Sequence, residues 1–191
     1  MSDSLKTKRA LCDALIKLCQ TKSFNKISIA DITREVGIKR QTFYYHFNDK
    51  YMLLAWVYHQ TALYYLDDNQ ISLDNWEQQV TRMLKAIKNN AKLYYNTVTS
   101  DQSILMREFS YIIEQRFIHL FQMFDPQQKI SANNKTFYAK FFSYGCSGLL
   151  LDWIRANYPQ KPEVMAQQIT QLAKDTEIFS IQLVYRGKKE E

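Results

Sequence analysis

The sequence predicts an all-α protein of about nine helices. Its 191 residues include only 4 Gly and 3 Pro, the residues on which the turns of β-rich folds depend. Apolar residues recur at spacings of three and four along most of the chain, which is the period of amphipathic helices. Hydrophobic residues make up 46% and charged residues 23% of the composition, as in folded rather than disordered chains.

Four helices are predicted in the N-terminal third of the chain. The first covers residues 5–22. The second follows Ser28, a favourable N-cap with an acidic residue, Asp31, in the capping-box position, and it ends before Gly37. The third covers about residues 40–47. After a break at Asn48 and Asp49, the fourth continues to about residues 67–69.

The rest of the chain predicts longer helices. They cover about residues 73–95, 103–124, 134–157 and 162–186. Pro162 stands at a first-turn position, where its missing N–H costs nothing. We therefore expect an N-terminal three-helix domain at residues 5–65, which also takes in most of the fourth helix, and a larger helical domain at residues 66–191.

Positive charge is concentrated at the N-terminus. The formal net charge is +6, with 10 Lys and Arg against 5 Asp and Glu in residues 1–50, and 15 against 14 in residues 51–191. A basic module on a nearly neutral body is typical of proteins that bind polyanions. Taken alone, the charge is explained equally well by a solvated face on a basic protein.

Cysteine usage and hydropathy predict a cytoplasmic protein. Cys12, Cys19 and Cys146 have no disulfide-framework spacing, which favours a reducing compartment. No signal-peptide pattern and no apolar run of about 18 residues is present, so no membrane partner is expected. No His or Cys pair has metal-ligand spacing, so we expect no metal and no other cofactor.

Residues 28–54 are the most informative segment. Ile32 lies on the inner face of one short helix, Gly37 permits a sharp turn, and Phe43 and Phe47 lie one turn apart on the inner face of the next. Such residues pack two short helices at a steep angle onto a third. The pattern predicts a helix-turn-helix at residues 28–47, whose second helix can enter a major groove of DNA.

The outward face of that second helix is rich in hydrogen-bond donors and has no acidic residue. Its members are Lys39, Arg40, Gln41, Thr42, Tyr44, Tyr45 and His46. Arginine can bind guanine O6 and N7, and glutamine can bind adenine N6 and N7. Lys50, at the start of the fourth helix, is placed for a phosphate. A basic short helix is usually only a solvated face, and His46 could equally cap or pack, but the spacing favours DNA contact.

At this spacing the segment resembles the TetR family of transcriptional regulators. The resemblance covers about residues 5–65. It rests on Ser28-Ile29-Ala30, Val36-Gly37-Ile38, Thr42-Phe43-Tyr44-Tyr45-His46-Phe47, Lys50 and Leu53-Leu54. Two positions depart from the pattern: Val36 stands where Ala is common, and Lys39 stands where a small capping residue is frequent.

The resemblance implies a role for each outward residue. Arg40, Gln41 and Tyr44 would face bases. The residues implied to hold phosphates are Ser28, Thr42, Tyr44, Tyr45, His46 and Lys50. It further implies a homodimer that binds a palindromic double-stranded operator, as a repressor or as an activator, and that has no enzymatic activity.

The segment from Phe137 to Ile154 is apolar nearly all round, which suits a helix buried both in its own core and against a partner. The resemblance implies a four-helix bundle with two helices from each subunit. The candidate dimer residues are Phe141, Tyr144, Gly145, Gly148, Leu149, Ile169, Leu172, Phe179 and Leu183. The alternative is a core helix of a monomer.

The resemblance also implies an effector bound among the middle helices. The candidates are Trp56, His59, Tyr94, Met106, Phe109, Tyr111, Tyr144 and Trp153, although aromatic stripes at helical spacing are more often core. The pattern at residues 144–154 resembles a subgroup that includes regulators of dihydroxyacetone kinase operons. In that subgroup a co-regulator protein can replace the small molecule.

Two other classes of function compete with operator binding. One is a co-regulator that acts by protein contact and has lost operator binding. The other is an all-α enzyme, which the sequence disfavours because it lacks a phosphate-binding Gly loop and a nucleophile elbow.

Overall fold

The computed structural model describes residues 3–67, 73–125 and 128–172, and every regular element within these ranges is helical. This confirms the all-α class. The N-terminal helices are α1 (Asp3–Leu18), α2 (Ile29–Val36), α3 (Arg40–His46) and α4 (Lys50–Tyr58), with a 3-10 turn at Phe24–Lys26 between α1 and α2. We call α1–α4 and their connections the head.

The remaining helices, which we call the body, begin as a continuation of α4. A π-helical turn at His59–Leu63 joins α4 to α5 (Tyr64–Asp67). The others are α6 (Leu73–Asn89), α7 (Ala91–Ser100), α8 (Ser103–Phe124), α9 (Ala132–Arg155) and α10 (residues 162–172). The part of the last predicted helix beyond residue 172 lies outside the described residues.

The predicted single helix over residues 73–95 is wrong, because the chain breaks at Asn90 and then continues as α7 to Ser100. Asn90 has φ −107° and ψ 34°, outside the helical range. Its side-chain Nδ2 donates to the Ala86 carbonyl oxygen at 3.0 Å. An Asn side chain that binds the backbone one turn back competes with the helical hydrogen-bond pattern, which explains the break.

The head is held by an apolar core contributed by all four of its helices. Leu11 and Leu15 of α1, Ile32 of α2, Phe43 of α3 and Leu53 of α4 are all fully buried. Helix α1 packs against each of the other three. A helix of seven or eight residues is unstable alone, so α2 and α3 depend on this shared core for their existence.

Helix α4 belongs to both the head and the body. The Tyr58 ring stacks on the Tyr94 ring of α7 with centroids 5.1 Å apart, and the Tyr58 hydroxyl donates to Thr97 Oγ1 at 2.7 Å. Thr61 Oγ1 and the Tyr94 hydroxyl are 2.8 Å apart. Burial raises the pKa of the Tyr58 hydroxyl well above its usual value, so the ring stays neutral in this core.

The turn between α2 and α3 follows the local signals in the sequence. Ser28 and Asp31 form the predicted capping box: the Asp31 N–H donates to Ser28 Oγ at 3.1 Å, and the Ser28 N–H donates to Asp31 Oδ2 at 2.9 Å. Gly37 ends α2 with φ 78°, in the left-handed region. These two features set where α2 begins and ends.

Among the described residues, no helix combines the length and the apolar character needed to cross a bilayer.

Replacing Gly37 with Ala should lower the free energy of unfolding by about 1–2 kcal/mol, because a β-carbon is disfavoured in the left-handed conformation. A Cβ at this position meets no atom within 4 Å, so the loss would report backbone strain rather than a clash. Urea denaturation measures it. Gly37→Asn is the control and should lose less, since Asn tolerates positive φ. Equal stability of the Ala variant and the wild type would contradict this explanation.

Candidate nucleic-acid interface

Helix α3 presents one apolar and one polar side. Phe43 and Phe47 are buried beneath it, with 0% and 5% of their surfaces exposed. The Phe47 ring packs against Trp56 of α4 with centroids 6.0 Å apart, and the Lys8 ammonium of α1 lies over the Phe47 ring, 5.6 Å from its centroid. Because these two rings hold the inner side, the opposite side of α3 faces solvent.

The outward residues predicted from the sequence lie on that exposed side. Those exposed are Lys39, Arg40, Gln41, Tyr44 and Tyr45, whereas Thr42 and His46 are half-buried. Tyr45 is 82% exposed, an unusual position for a large aromatic ring without a partner surface. The edge of Tyr44 meets Phe43 and that of His46 meets Tyr45, with centroids 5.7 Å and 5.0 Å apart. The surface carries donors and aromatic rings and no carboxylate.

Ser28 is exposed, but its hydroxyl is already engaged in the capping box. It accepts from the Asp31 N–H and donates to Asp31 Oδ2 at 2.8 Å. The Lys22 ammonium also binds Asp31 Oδ2, at 2.7 Å. Together the Lys22 ammonium and Ser28 hold the pKa of the Asp31 carboxyl well below its usual range. A phosphate contact by Ser28 would have to share its hydroxyl with this network.

Lys50 occupies a different environment from the one expected. Its ammonium donates to the carbonyl oxygens of Phe24, Asn25 and Ile27 at 2.9, 3.3 and 2.9 Å. It also lies over the rings of Phe24 and Tyr51, at 4.6 and 5.5 Å from their centroids. Burial lowers the pKa of this ammonium. The structure therefore directs Lys50 toward the connector between α1 and α2 (residues 19–27) rather than toward a phosphate, because three carbonyls satisfy all three of its donors.

The eight candidate effector residues differ in how far they are buried among the described helices. Tyr94, Phe109 and Trp153 are buried, Trp56 and Met106 are half-buried, and Tyr111 and Tyr144 are exposed. His59 Nε2 is 3.4 Å from Glu108 Oε2 on α8.

Two internal spaces include a candidate effector residue. Phe109 borders a space lined by α5, α6, α8, α9 and α10 whose free volume is about 10 Å³, room for roughly one water. Trp153 borders an apolar cleft of about 430 Å³ between α9 and α10, together with Leu149, Pro159 and Leu172. The two spaces differ in size, and Met165 and Ile169 of α10 line both of them.

Several candidate dimer residues form an exposed apolar stripe on α9. Phe141, Tyr144 and Leu149 have 67%, 48% and 51% of their surfaces exposed. Between them, Gly145 and Gly148 have no atom within 4 Å of where a Cβ would stand, which leaves room for another backbone to approach. On α10, Leu172 is exposed and Ile169 is half-buried, whereas Phe179 and Leu183 lie outside the described residues.

One interdomain contact was absent from the sequence analysis. Asn96 of α7 binds the backbone of the connector between α1 and α2 at three points, with distances of 2.8 to 2.9 Å. No local signal could have revealed it, because its partners lie more than seventy residues earlier in the chain.

Comparison with known families identifies both parts of the chain. The profile of bacterial regulatory proteins of the TetR family matches residues 11–57, and the profile of a TetR-type transcriptional regulator C-terminal region matches residues 74–175. The chain belongs to the TetR family. Its members are DNA-binding transcriptional regulators rather than enzymes, which agrees with the sequence analysis and makes α2 and α3 the DNA-binding helix-turn-helix.

Curated TetR relatives share modest identity with the chain. The dhaKLM operon transcriptional activator DhaS of Lactococcus lactis is 25% identical over 121 residues, which are 63% of this chain and 57% of DhaS. The uncharacterized regulator YxbF of Bacillus subtilis is 28% identical over 177 residues, 87% of this chain and 44% of YxbF. The chain therefore spans about half the length of these relatives. The match to DhaS agrees with the resemblance noted in the C-terminal pattern.

Solved structures share the TetR fold over most of the chain. The dihydroxyacetone kinase operon activator DhaS superposes with a TM-score of 0.61 at 21% identity, covering 89% of this chain and 95% of that one. The fatty acid degradation regulator FadR of Bacillus halodurans gives the same score at 12% identity, covering 90% and 95%. At these identities the likeness establishes the fold alone.

Two lysines of this TetR head should respond differently to substitution. We expect Lys39→Ala to reduce the slope of log affinity against log salt by about 0.9, as for one lost phosphate contact. Lys50→Met should leave that slope unchanged and lower the free energy of unfolding by about 2 kcal/mol, because three carbonyls lose their donor. Fluorescence anisotropy on a bound duplex and urea denaturation measure the two effects. A slope that falls with Lys50→Met would show that the ammonium reaches a phosphate in the complex.

Proposed function

We propose that this chain is a homodimeric regulator that binds a palindromic DNA operator in the cytoplasm and responds to a small molecule or a co-regulator protein through its body. The observation that carries the proposal is the exposed polar side of α3, which Phe43 and Phe47 hold away from the core. Membership of the TetR family supports DNA contact by this helix.

The base-reading role belongs to the N-terminal turns of α3. Arg40 and Gln41 are exposed in its first turn, and Tyr44 follows on the same side. Recognition helices of this kind contact base edges with their N-terminal residues. Lys39, Thr42, Tyr45 and His46 flank them and serve the phosphates. A phosphate contact by Ser28 or Lys50 requires its polar group to leave the capping or carbonyl contacts that it makes here.

Dimerisation follows from the small size of the head and from the stripe on α9. One helix-turn-helix reads few base pairs, and two heads related by two-fold symmetry read twice as many. The stripe of Phe141, Tyr144 and Leu149 exposes three large apolar side chains among the described residues. Their contact with water is unfavourable, and a second copy of the chain would cover them. The two glycines within it allow close helix approach. Leu172 extends the surface onto α10.

The direction of regulation and the nature of the effector are further parts of the proposal. The resemblance implies a repressor or an activator, and the relative DhaS is named an activator, so a reporter gene under the chain's own promoter decides between the two. Phe109 and Trp153 border the two spaces described above, which supports a small molecule as the modulator, and the likeness to DhaS supports a co-regulator protein as the alternative.

Selection of duplexes from a random pool should enrich an inverted repeat whose half-sites lie one helical turn or a multiple apart. Replacing Arg40 with Ala should alter the preferred base at one position of each half-site, at a cost of about 1–3 kcal/mol. The matched control is Arg82→Ala, an exposed arginine of α6, which should keep both affinity and preference. An unenriched pool, or regulation that survives the Arg40 substitution, would favour the co-regulator without operator binding.

Phe141→Glu should convert the dimer into a monomer, because it places a charge in the apolar stripe of α9. Analytical ultracentrifugation measures the mass, and circular dichroism checks that the helices persist. Tyr111→Glu is the control: it changes an equally exposed ring (64% against 67%) on α8 and should leave the dimer intact. A Phe141→Glu variant that stays dimeric would place the interface elsewhere.

A further inference from the structure

The segment between α1 and α2 is held from two sides by polar side chains of other helices. We call residues 19–27 the connector. From α7, Asn96 Oδ1 accepts from the Phe24 N–H at 2.8 Å, and Asn96 Nδ2 donates to the carbonyl oxygens of Cys19 and Lys22 at 2.9 and 2.8 Å. From α4, Lys50 binds three further carbonyls of the same connector. Six backbone polar groups of one short segment are thus satisfied by two side chains.

The Asn96 contact depends on the chemistry of a carboxamide. One acceptor and two donors are required within a single planar group, and all of them are used. An Asp at this position would turn a carboxylate toward two carbonyl oxygens, and an aliphatic residue would leave one N–H and two carbonyls without a partner. Because Phe24 and Cys19 are buried, water cannot easily replace these bonds.

Two weaker contacts border the same site on its exposed side. Ser23 Oγ and Ser100 Oγ are 3.3 Å apart, and Asn25 Nδ2 donates to the Ser100 carbonyl oxygen at 3.4 Å. The body's partners in these contacts, Asn96 and Ser100, lie one turn apart at the end of α7. The end of α7 therefore forms hydrogen bonds with the head along the connector.

Helix α7 is also fixed to the head by a second route. On either side of Asn96, Tyr94 and Thr97 hydrogen-bond to Thr61 and Tyr58, which continue directly from the head through α4. A head attached only through α4 could still rotate about that helix. Attachment at the connector as well removes this freedom, because two separated points of contact define an orientation.

We propose that Asn96 is a positioning residue that locks the head against the body and so sets the half-site spacing the dimer accepts. The inference rests on the proposed operator-binding homodimer. Moving one half-site by a base pair shifts it by about 3.4 Å along the duplex and rotates it by about one tenth of a turn. A locked head follows neither change without losing contacts, whereas a released head can follow both.

The first test measures affinity for the selected operator and for duplexes whose half-sites are one or two base pairs closer or farther apart. Wild type should prefer one spacing by on the order of tenfold, and Asn96→Ala should lose most of that preference while its best affinity changes less. A purely structural role would lower stability and leave the spacing preference unchanged. Asn89→Ala, an exposed asparagine of α6, is the matched control and should keep the wild-type preference.

The second test needs no DNA. The Phe24 amide hydrogen, which Asn96 Oδ1 accepts, should exchange with solvent faster in Asn96→Ala, while amides within α1 and α4 keep their protection. An unchanged exchange rate of the Phe24 amide in a folded Asn96→Ala variant would contradict the proposal that Asn96 fixes the head against the body. If wild type shows no preference for an inverted repeat, the proposed function fails, and this exchange measurement alone decides whether Asn96 fixes the head.

A second variant covers the case in which Asn96→Ala does not fold. The double substitution Ser23→Ala with Asn25→Ala removes only exposed side-chain contacts to Ser100 and leaves Asn96 in place. It should weaken the spacing preference partially and accelerate exchange at Phe24 to a smaller degree. A folded Asn96→Ala with wild-type spacing preference and wild-type exchange overturns the proposal, and so does a double variant that loses the whole preference while Phe24 keeps its wild-type exchange.

Discussion

The burial of Phe43 and Phe47 is the constraint on which the rest of the head depends. Helix α3 has seven residues, too few to persist in water without tertiary support. Phe43 within the helix and Phe47 directly after it, one turn apart, fix both its position and its rotation, because they leave a single side to face solvent. Successive residues of a helix point about 100° apart, so Tyr44 and Tyr45 are turned outward by the same burial that turns Phe43 inward. An exposed face of donors is thus a consequence of apolar packing.

The connector between α1 and α2 shows how polar groups complete what the apolar core begins. Its backbone is too irregular to satisfy itself, and it lies against buried Phe24 and Ile27, where unpaired carbonyls are costly. Lys50 and Asn96 supply the missing partners from two other helices. A charged ammonium is tolerated there because three carbonyls and two aromatic rings replace its water. The head is consequently joined to the body by hydrogen bonds as well as by the continuous helix α4.

The aromatic residues of the body lie in different surroundings, although their helical spacing in the sequence made them candidates for one effector site. Tyr94 lies in the core shared with Tyr58, whereas Tyr111 and Tyr144 face solvent, although all three were candidates for one pocket. Helical spacing tells which residues share a face of one helix. It does not tell which face meets a neighbouring helix, because that depends on how α7, α8 and α9 cross. The exposed stripe on α9 is intelligible only in the folded arrangement, where Phe141 and Leu149 have no covering helix among the described residues.

The sequence by itself determined the helical class, the helix-turn-helix and the outward face of α3. These follow from interactions within one or two turns: the Ser28 capping box, the left-handed Gly37 and the spacing of two phenylalanines. Other features were decided only by the tertiary structure. They include the break at Asn90, the turning of Lys50 toward carbonyls more than twenty residues earlier, and the three contacts of Asn96. The physical reason is that a side chain with several donors binds whichever acceptors the packing brings close to it. Contacts between residues distant in the chain produce no periodic pattern in the sequence.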